Sequence, residues 1–87
     1  MEKIKVVNLI QKEKEIEVED LTLVQRYYID VIENFKRKYY RIPSMREINF
    51  IIHGDKQTGS VSSMIKTLKK KGYDYSKLNY EEVEDKC

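Results

Sequence analysis

The sequence predicts a mainly α domain with a minor β part, and two observations predict it. Apolar residues recur at helical spacing in three successive stretches of an 87-residue chain, each opened by a residue that suits a helix start. One earlier stretch instead alternates apolar and acidic residues at strand spacing. Joining the second and third helices by a short polar turn gives a three-helix, helix-turn-helix domain over residues 21–80. An extension over residues 1–20 precedes it, as a β-hairpin or a helix, and an acidic tail over 81–87 follows.

In the extension, Ile16 and Val18 alternate with Glu15, Glu17 and Glu19, and the earlier run of Ile4, Val6, Val7, Leu9 and Ile10 is rich in β-branched residues. A hairpin turning near Lys12-Glu13 is expected, to cover a flank of the helices or to build a dimer interface. Thr22 suits an N-cap, with Gln25 three residues on as its capping-box partner. Val24, Tyr28, Val31, Ile32 and Phe35 form the expected buried stripe of the first helix, and Arg26, Asp30, Glu33 and Arg37 its solvent face. The closing run Lys36-Arg37-Lys38-Tyr39-Tyr40-Arg41 reads in two ways. It is a phosphate-contacting patch, or a final turn whose cations suit the helix dipole while Tyr39 or Tyr40 packs inward.

Pro43 cannot continue that helix, and Ser44 with Glu47 repeats the capping-box pattern. Ile48, Ile51 and Ile52 give the second helix an apolar face, His53 ends it, and Gly54 takes the left-handed position beyond it. Asp55-Lys56-Gln57 make a polar connection in which Gln57 or Thr58 stands where the third helix needs a cap. Val61, Met64, Ile65 and Leu68 then repeat at i, i+3, i+4 and i+7, and Lys69-Lys70-Lys71 precede the terminating Gly72. Tyr73-Asp74-Tyr75 and Leu78-Asn79-Tyr80 suit a short strand pair where a wing would lie. Lys77 is its one nearby cation, so such a wing adds little to polyanion binding.

The net charge of +2 conceals a segregation. Residues 1–20 hold four lysines against six acidic residues, residues 21–72 eleven cations against four, and residues 73–87 two against five. A cationic centre between acidic ends suits a polyanion at one face, because neutralising phosphates supplies most non-specific affinity.

Several classes of chemistry lack their residues. One histidine, His53, and one cysteine, Cys87, leave no internal disulfide, zinc site or serine triad. Three scattered glycines make no phosphate-loop or dinucleotide fingerprint. A chain of this length buries about 60–65% of its unfolded surface, a modest core with little room for a substrate cavity. No enzyme, metal or cofactor is expected. No apolar run approaches a membrane span and no signal-peptide h-region opens the chain, so a cytoplasmic protein without a membrane partner is expected.

The third helix carries the functional signal. Its first turns hold Gly59, Ser60, Ser62 and Ser63, with no bulky side chain on the outward side. Such a surface can approach base edges in the major groove, where hydroxyls donate or accept. The run Leu21-Thr22, Gln25, Ile32, Pro43-Ser44, Arg46-Glu47-Ile48, Gly54, Val61, Ile65, Leu68 and Lys71-Gly72-Tyr73 resembles the N-terminal DNA-binding domain of LexA-type repressors.

The resemblance covers residues 21–73. It implies a winged helix-turn-helix that binds double-stranded operator DNA as a homodimer. Carried over, the family's base-reading surface falls on Gln57, Gly59, Ser60, Ser62 and Ser63, and backbone contacts on Arg46, Lys56, Thr58, Lys66, Lys69 and Lys70. Two features depart from the pattern: Tyr40 stands where the family usually has glycine, and one extra residue lies in the turn around Asp55 to Gln57. Only 15 residues follow Gly72, so the family's self-cleaving domain and autoproteolysis are not expected.

A sequence-specific transcriptional regulator, repressor-like, is the expected function. The alternative is a helix-turn-helix fold reused as a protein-binding module or inhibitor of the kind small phage proteins supply. The serine-only recognition surface, the acidic ends and the N-terminal extension keep that alternative in view.

Overall fold

A computed structural model of the chain describes residues 2–8, 10–54 and 59–75. Two strands, β1 (Glu2–Val7) and β2 (Glu13–Val18), precede three helices, α1 (Leu23–Tyr39), α2 (Met45–His53) and α3 (Gly59–Lys71).

The strands form an antiparallel hairpin in which Ile4 faces Ile16 and Glu2 faces Val18. Across the outer face Lys3 stands opposite Glu17 and Lys5 opposite Glu15, so unlike charges meet along the ladder. The turn lies slightly earlier than Lys12-Glu13 and is organised by Asn8. Its buried side-chain oxygen accepts from the amides of Ile10 (3.0 Å) and Lys12 (2.9 Å). Gln11 takes a left-handed φ of 68° in this turn, and its side-chain amide donates to the Lys36 carbonyl at 3.1 Å. One end of the hairpin is thereby fastened to the C-terminal end of α1. The hairpin completes the core: Val6 and Val18 are fully buried within it, and Ile4 and Ile16 pack against it.

Both expected capping boxes form. The Thr22 hydroxyl accepts from the Gln25 amide and the Ser44 hydroxyl from the Glu47 amide, while each partner side chain returns to the cap's own N–H. Gly54 closes α2 in the left-handed region (φ 75°), and Tyr40 does the same for α1 (φ 59°). Left-handed backbone costs a residue with a Cβ about 1–2 kcal/mol relative to glycine, so α1 ends at a strained tyrosine.

Burial around α1 differs from the expectation. Tyr28, Ile29, Ile32 and Phe35 face inward, but Val24 is 55% exposed and Val31 only half-buried. Glu33, expected in solvent, is 3% exposed. Burial of Glu33 rests on two partners far away in the chain and one a turn along its own helix. Its Oε1 accepts from the Val7 amide at 2.8 Å, and its Oε2 accepts from the Tyr73 hydroxyl at 2.7 Å and lies 2.8 Å from the Lys36 ammonium. Lys36 is fully buried, so it takes no part in a phosphate patch. Desolvation lowers the pKa of Lys36, with Glu33 acting against it. Burial and the Glu33 charge push the Tyr73 hydroxyl well above its ordinary pKa.

Tyr73 is therefore a core residue rather than part of a strand pair, and Tyr75 packs against the same core. No strand forms over residues 73–75, and the rest of the expected wing lies outside the described residues. Gly72 is needed where it stands. At φ 114° its Cα lies so close to β2 that a Cβ would come within 3.0 Å of the Glu17 carbonyl oxygen.

On α2, Ile48 and Asn49 are buried and Ile52 half-buried, while Ile51, expected on the apolar face, is 47% exposed. The 100° step between residues turns Ile51 away from the side that Ile48 and Ile52 share. The core is closed from α3 by Val61 and Leu68, with Met64 and Ile65 beside them.

Removing a partner from the buried charge cluster tests its contribution. Lys36→Met leaves the Glu33 carboxylate without its cation and should lower unfolding free energy in urea by about 3–5 kcal/mol. Tyr73→Phe deletes one hydrogen bond to a charged acceptor and should cost about 1.5–3 kcal/mol.

Candidate nucleic-acid interface

The α3 helix is positioned from both ends of its buried stripe. Val61 and Leu68 are fully buried, so the side chains opposite them must face water. At 100° per residue, Ser63, Lys66 and Lys70 lie opposite Leu68, and all three are exposed. Ser60 and Thr67 flank them on one side and are exposed. Ser62 and Lys69 flank the other, Ser62 half-buried and Lys69 exposed. The Thr67 hydroxyl donates to the Ser63 carbonyl at 3.1 Å, which holds it against the helix. No acidic residue occurs in α3. Its surface is small hydroxyls at the N-terminal end and cations at the C-terminal end.

The C-terminal end of α3 is fastened to the hairpin and α1. The Glu19 amide donates to the Lys71 carbonyl at 2.9 Å, and the Lys71 ammonium donates to the Asp20 carbonyl (2.6 Å) and Gln25 Oε1 (2.8 Å). Of the three terminal lysines, Lys71 is thus structural. Lys69 stands 3.8 Å from Asp74, a loose surface pair, and Lys70 points to solvent.

Among the expected contact residues, Ser63, Lys66 and Lys70 therefore share the outward side of α3, with Ser60 at one margin of it and Ser62 and Lys69 at the other. Gly59 opens the helix. Lys56, Gln57 and Thr58, together with the expected cap of α3, lie outside the described residues. Arg46 is exposed in the first turn of α2, on an element that packs against both α1 and α3.

The start of α2 is held by charge as well as by its cap. Arg41 grips Glu47 with two nitrogens, Nη1 to Oε1 at 2.9 Å and Nη2 to Oε2 at 2.5 Å, while Ser44 N–H donates to the same carboxylate at 2.9 Å. Arg41 is therefore occupied, a role its place in a basic run did not signal. Tyr39 and Tyr40 are both exposed (51% and 61%), so neither packs inward.

Among the described residues, no group of three or more histidine, cysteine, aspartate or glutamate side chains gathers as a metal site. No helix among them is long and apolar enough to cross a membrane.

The Arg41 fork, with the Ser44 amide, holds the Glu47 carboxyl down at about 2, below its ordinary 4.5. A depressed carboxylate stabilises the fold above its ordinary pKa and loses that contribution as pH falls from about 4.5 to about 2. Side-chain carboxyl NMR titration should place Glu47 near the lower value and show an upward move in Arg41→Ala; an unchanged midpoint in that variant would remove Arg41 as the main cause. No protein-family model, curated protein or solved structure matches this chain.

Proposed function

We propose that the chain is a sequence-specific DNA-binding regulator, repressor-like, in which α2 and α3 act as a helix-turn-helix and α3 is the recognition helix. The observation that carries this reading is the division of α3 into a buried side, Val61 and Leu68, and an acid-free outward side of serines and lysines. Such a surface suits a helix entering the major groove, where cations meet phosphates and hydroxyls meet base edges. Ser60, Ser62 and Ser63 read base edges together with Gln57 and Gly59. Lys66, Lys69 and Lys70 hold phosphates, as do Arg46, Lys56 and Thr58.

The left-handed turn at Tyr40 supports the resemblance to LexA-type domains. The family's usual glycine at that place suits a positive φ, and Tyr40 has a φ of 59°. Two copies on a two-fold symmetric site fit a module this small, since one short helix contacts few base pairs.

Fluorescence anisotropy against a pool of labelled genomic duplexes, read across a salt series, tests the proposal. Binding should fall steeply with salt, with some fragments retained at higher salt. Lys66→Ala and Lys70→Ala should each weaken binding to every fragment and reduce the logarithmic salt slope by about one. Ser62→Ala with Ser63→Ala should change which fragments survive and leave thermal stability nearly unchanged. Absence of binding at low salt, or an unaltered fragment preference in the serine variant, would contradict the assignment.

A further inference from the structure

Three apolar side chains are left uncovered on the side of α1 and α2 away from the hairpin, over a partly covered apolar floor. Phe50 is 68% exposed, Tyr39 51% and Ile51 47%; Val31 is half-buried beside them and the Phe35 ring forms the floor. They line a continuous groove of about 850 Å³ at the α2 end, which runs into a shallower hollow of about 310 Å³ along α1. An isolated exposed apolar residue is ordinary, but a contiguous patch of this kind marks an interaction surface.

The rim of the groove is cationic. Lys38 stands over the Tyr39 ring at 5.4 Å, and Arg41 over the Phe35 ring at 4.8 Å. Arg46 lines the α2 side. The one acid there, Glu47, is already neutralised by Arg41. Among the described residues no carboxylate meets Lys38 or Arg46.

We propose that this groove docks an acidic amphipathic helix of a partner protein. Its apolar stripe would lie on Phe35, Phe50 and Ile51, and its carboxylates would face Lys38 and Arg46. The charge pattern selects this occupant. A second copy placed face to face would bring Lys38 and Arg46 against themselves, which opposes association. A single nucleic-acid strand would find aromatic rings and cations, but Val31 and Ile51 line much of the groove with aliphatic surface on which bases do not stack. An interhelical groove with an apolar floor and a charged rim is the form in which an amphipathic helix is commonly held. Arg46 belongs both to this rim and to the phosphate-contacting set proposed above. An acidic partner seated here would thus draw on a cation that DNA also uses.

The probe is a fluorescein-labelled helical peptide with leucine at i, i+3, i+4 and i+7 and glutamate on its remaining faces, titrated against the full chain by anisotropy. The same peptide with lysine replacing glutamate should bind at least about tenfold more weakly. Phe50→Ser combined with Ile51→Ser, and separately Lys38→Glu, should each weaken the acidic peptide by at least about tenfold. Because these positions are exposed, far-UV circular dichroism should be unchanged. Duplex DNA binding, measured in parallel, should also be unchanged in the Phe50→Ser, Ile51→Ser variant, which separates failure of this proposal from failure of the DNA reading. Four outcomes would overturn it: no peptide binding; peptide binding that survives both sets of substitutions; oligothymidylate binding that the Phe50→Ser, Ile51→Ser variant abolishes; or a dimer mass in sedimentation that the same variant converts to monomer.

Discussion

Three parts of this small fold meet at one buried carboxylate. Glu33 accepts a hydrogen bond from the end of β1, another from the tyrosine that follows α3, and faces the ammonium of Lys36 within its own helix. The hairpin, α1 and the exit from α3 are therefore specified by a single side chain. Such clusters carry a large desolvation cost and are weak evidence of net stability, but they penalise strongly any packing that leaves a member without its partners. In a chain with a modest core, that penalty fixes where the hairpin and the exit segment sit.

The consequence for α3 is mechanical. Its C-terminal end is closed by Gly72 against β2, by the Glu19 amide on the Lys71 carbonyl, and by Tyr73 in the core. Rotation of α3 about its axis would lift Val61 and Leu68 out of the core, so the orientation of its serine and lysine surface follows from packing. The N-terminal extension is thus part of the platform that presents α3. The same frame leaves the α1–α2 groove uncovered, because the hairpin lies against the opposite side of α1.

What was legible in the sequence was local. The pairs Thr22 with Gln25 and Ser44 with Glu47, the left-handed Gly54, and the stripe from Val61 to Leu68 all depend on residues within two turns of each other. What was hidden depends on distance along the chain. Glu33 reads as a solvent residue because its partners Val7 and Tyr73 lie 26 and 40 positions away. The first helix is apolar around much of its circumference, so Val24 and Val31 fit a buried stripe as well as Ile29 does; only the hairpin's position decides between the sides. Alternating tyrosines at 73 and 75 have strand period, yet one of them is a core plug, a distinction that spacing cannot make. On the proposed contact surface, the serines and lysines of α3 were legible from its periodicity, whereas the occupation of Lys71 and Arg41 by hydrogen bonds was not.

The claim that α3 is the working surface is tested most directly by amide NMR of the labelled protein during titration with duplex DNA that it retains at moderate salt. Shifts should concentrate in the amides of residues 59–70 and in the first turn of α2 around Arg46, with β2 and the N-terminal half of α1 unaffected. Shifts centred instead on Val31, Tyr39, Phe50 and Ile51, with α3 silent, would contradict it and make the α1–α2 groove the nucleic-acid site.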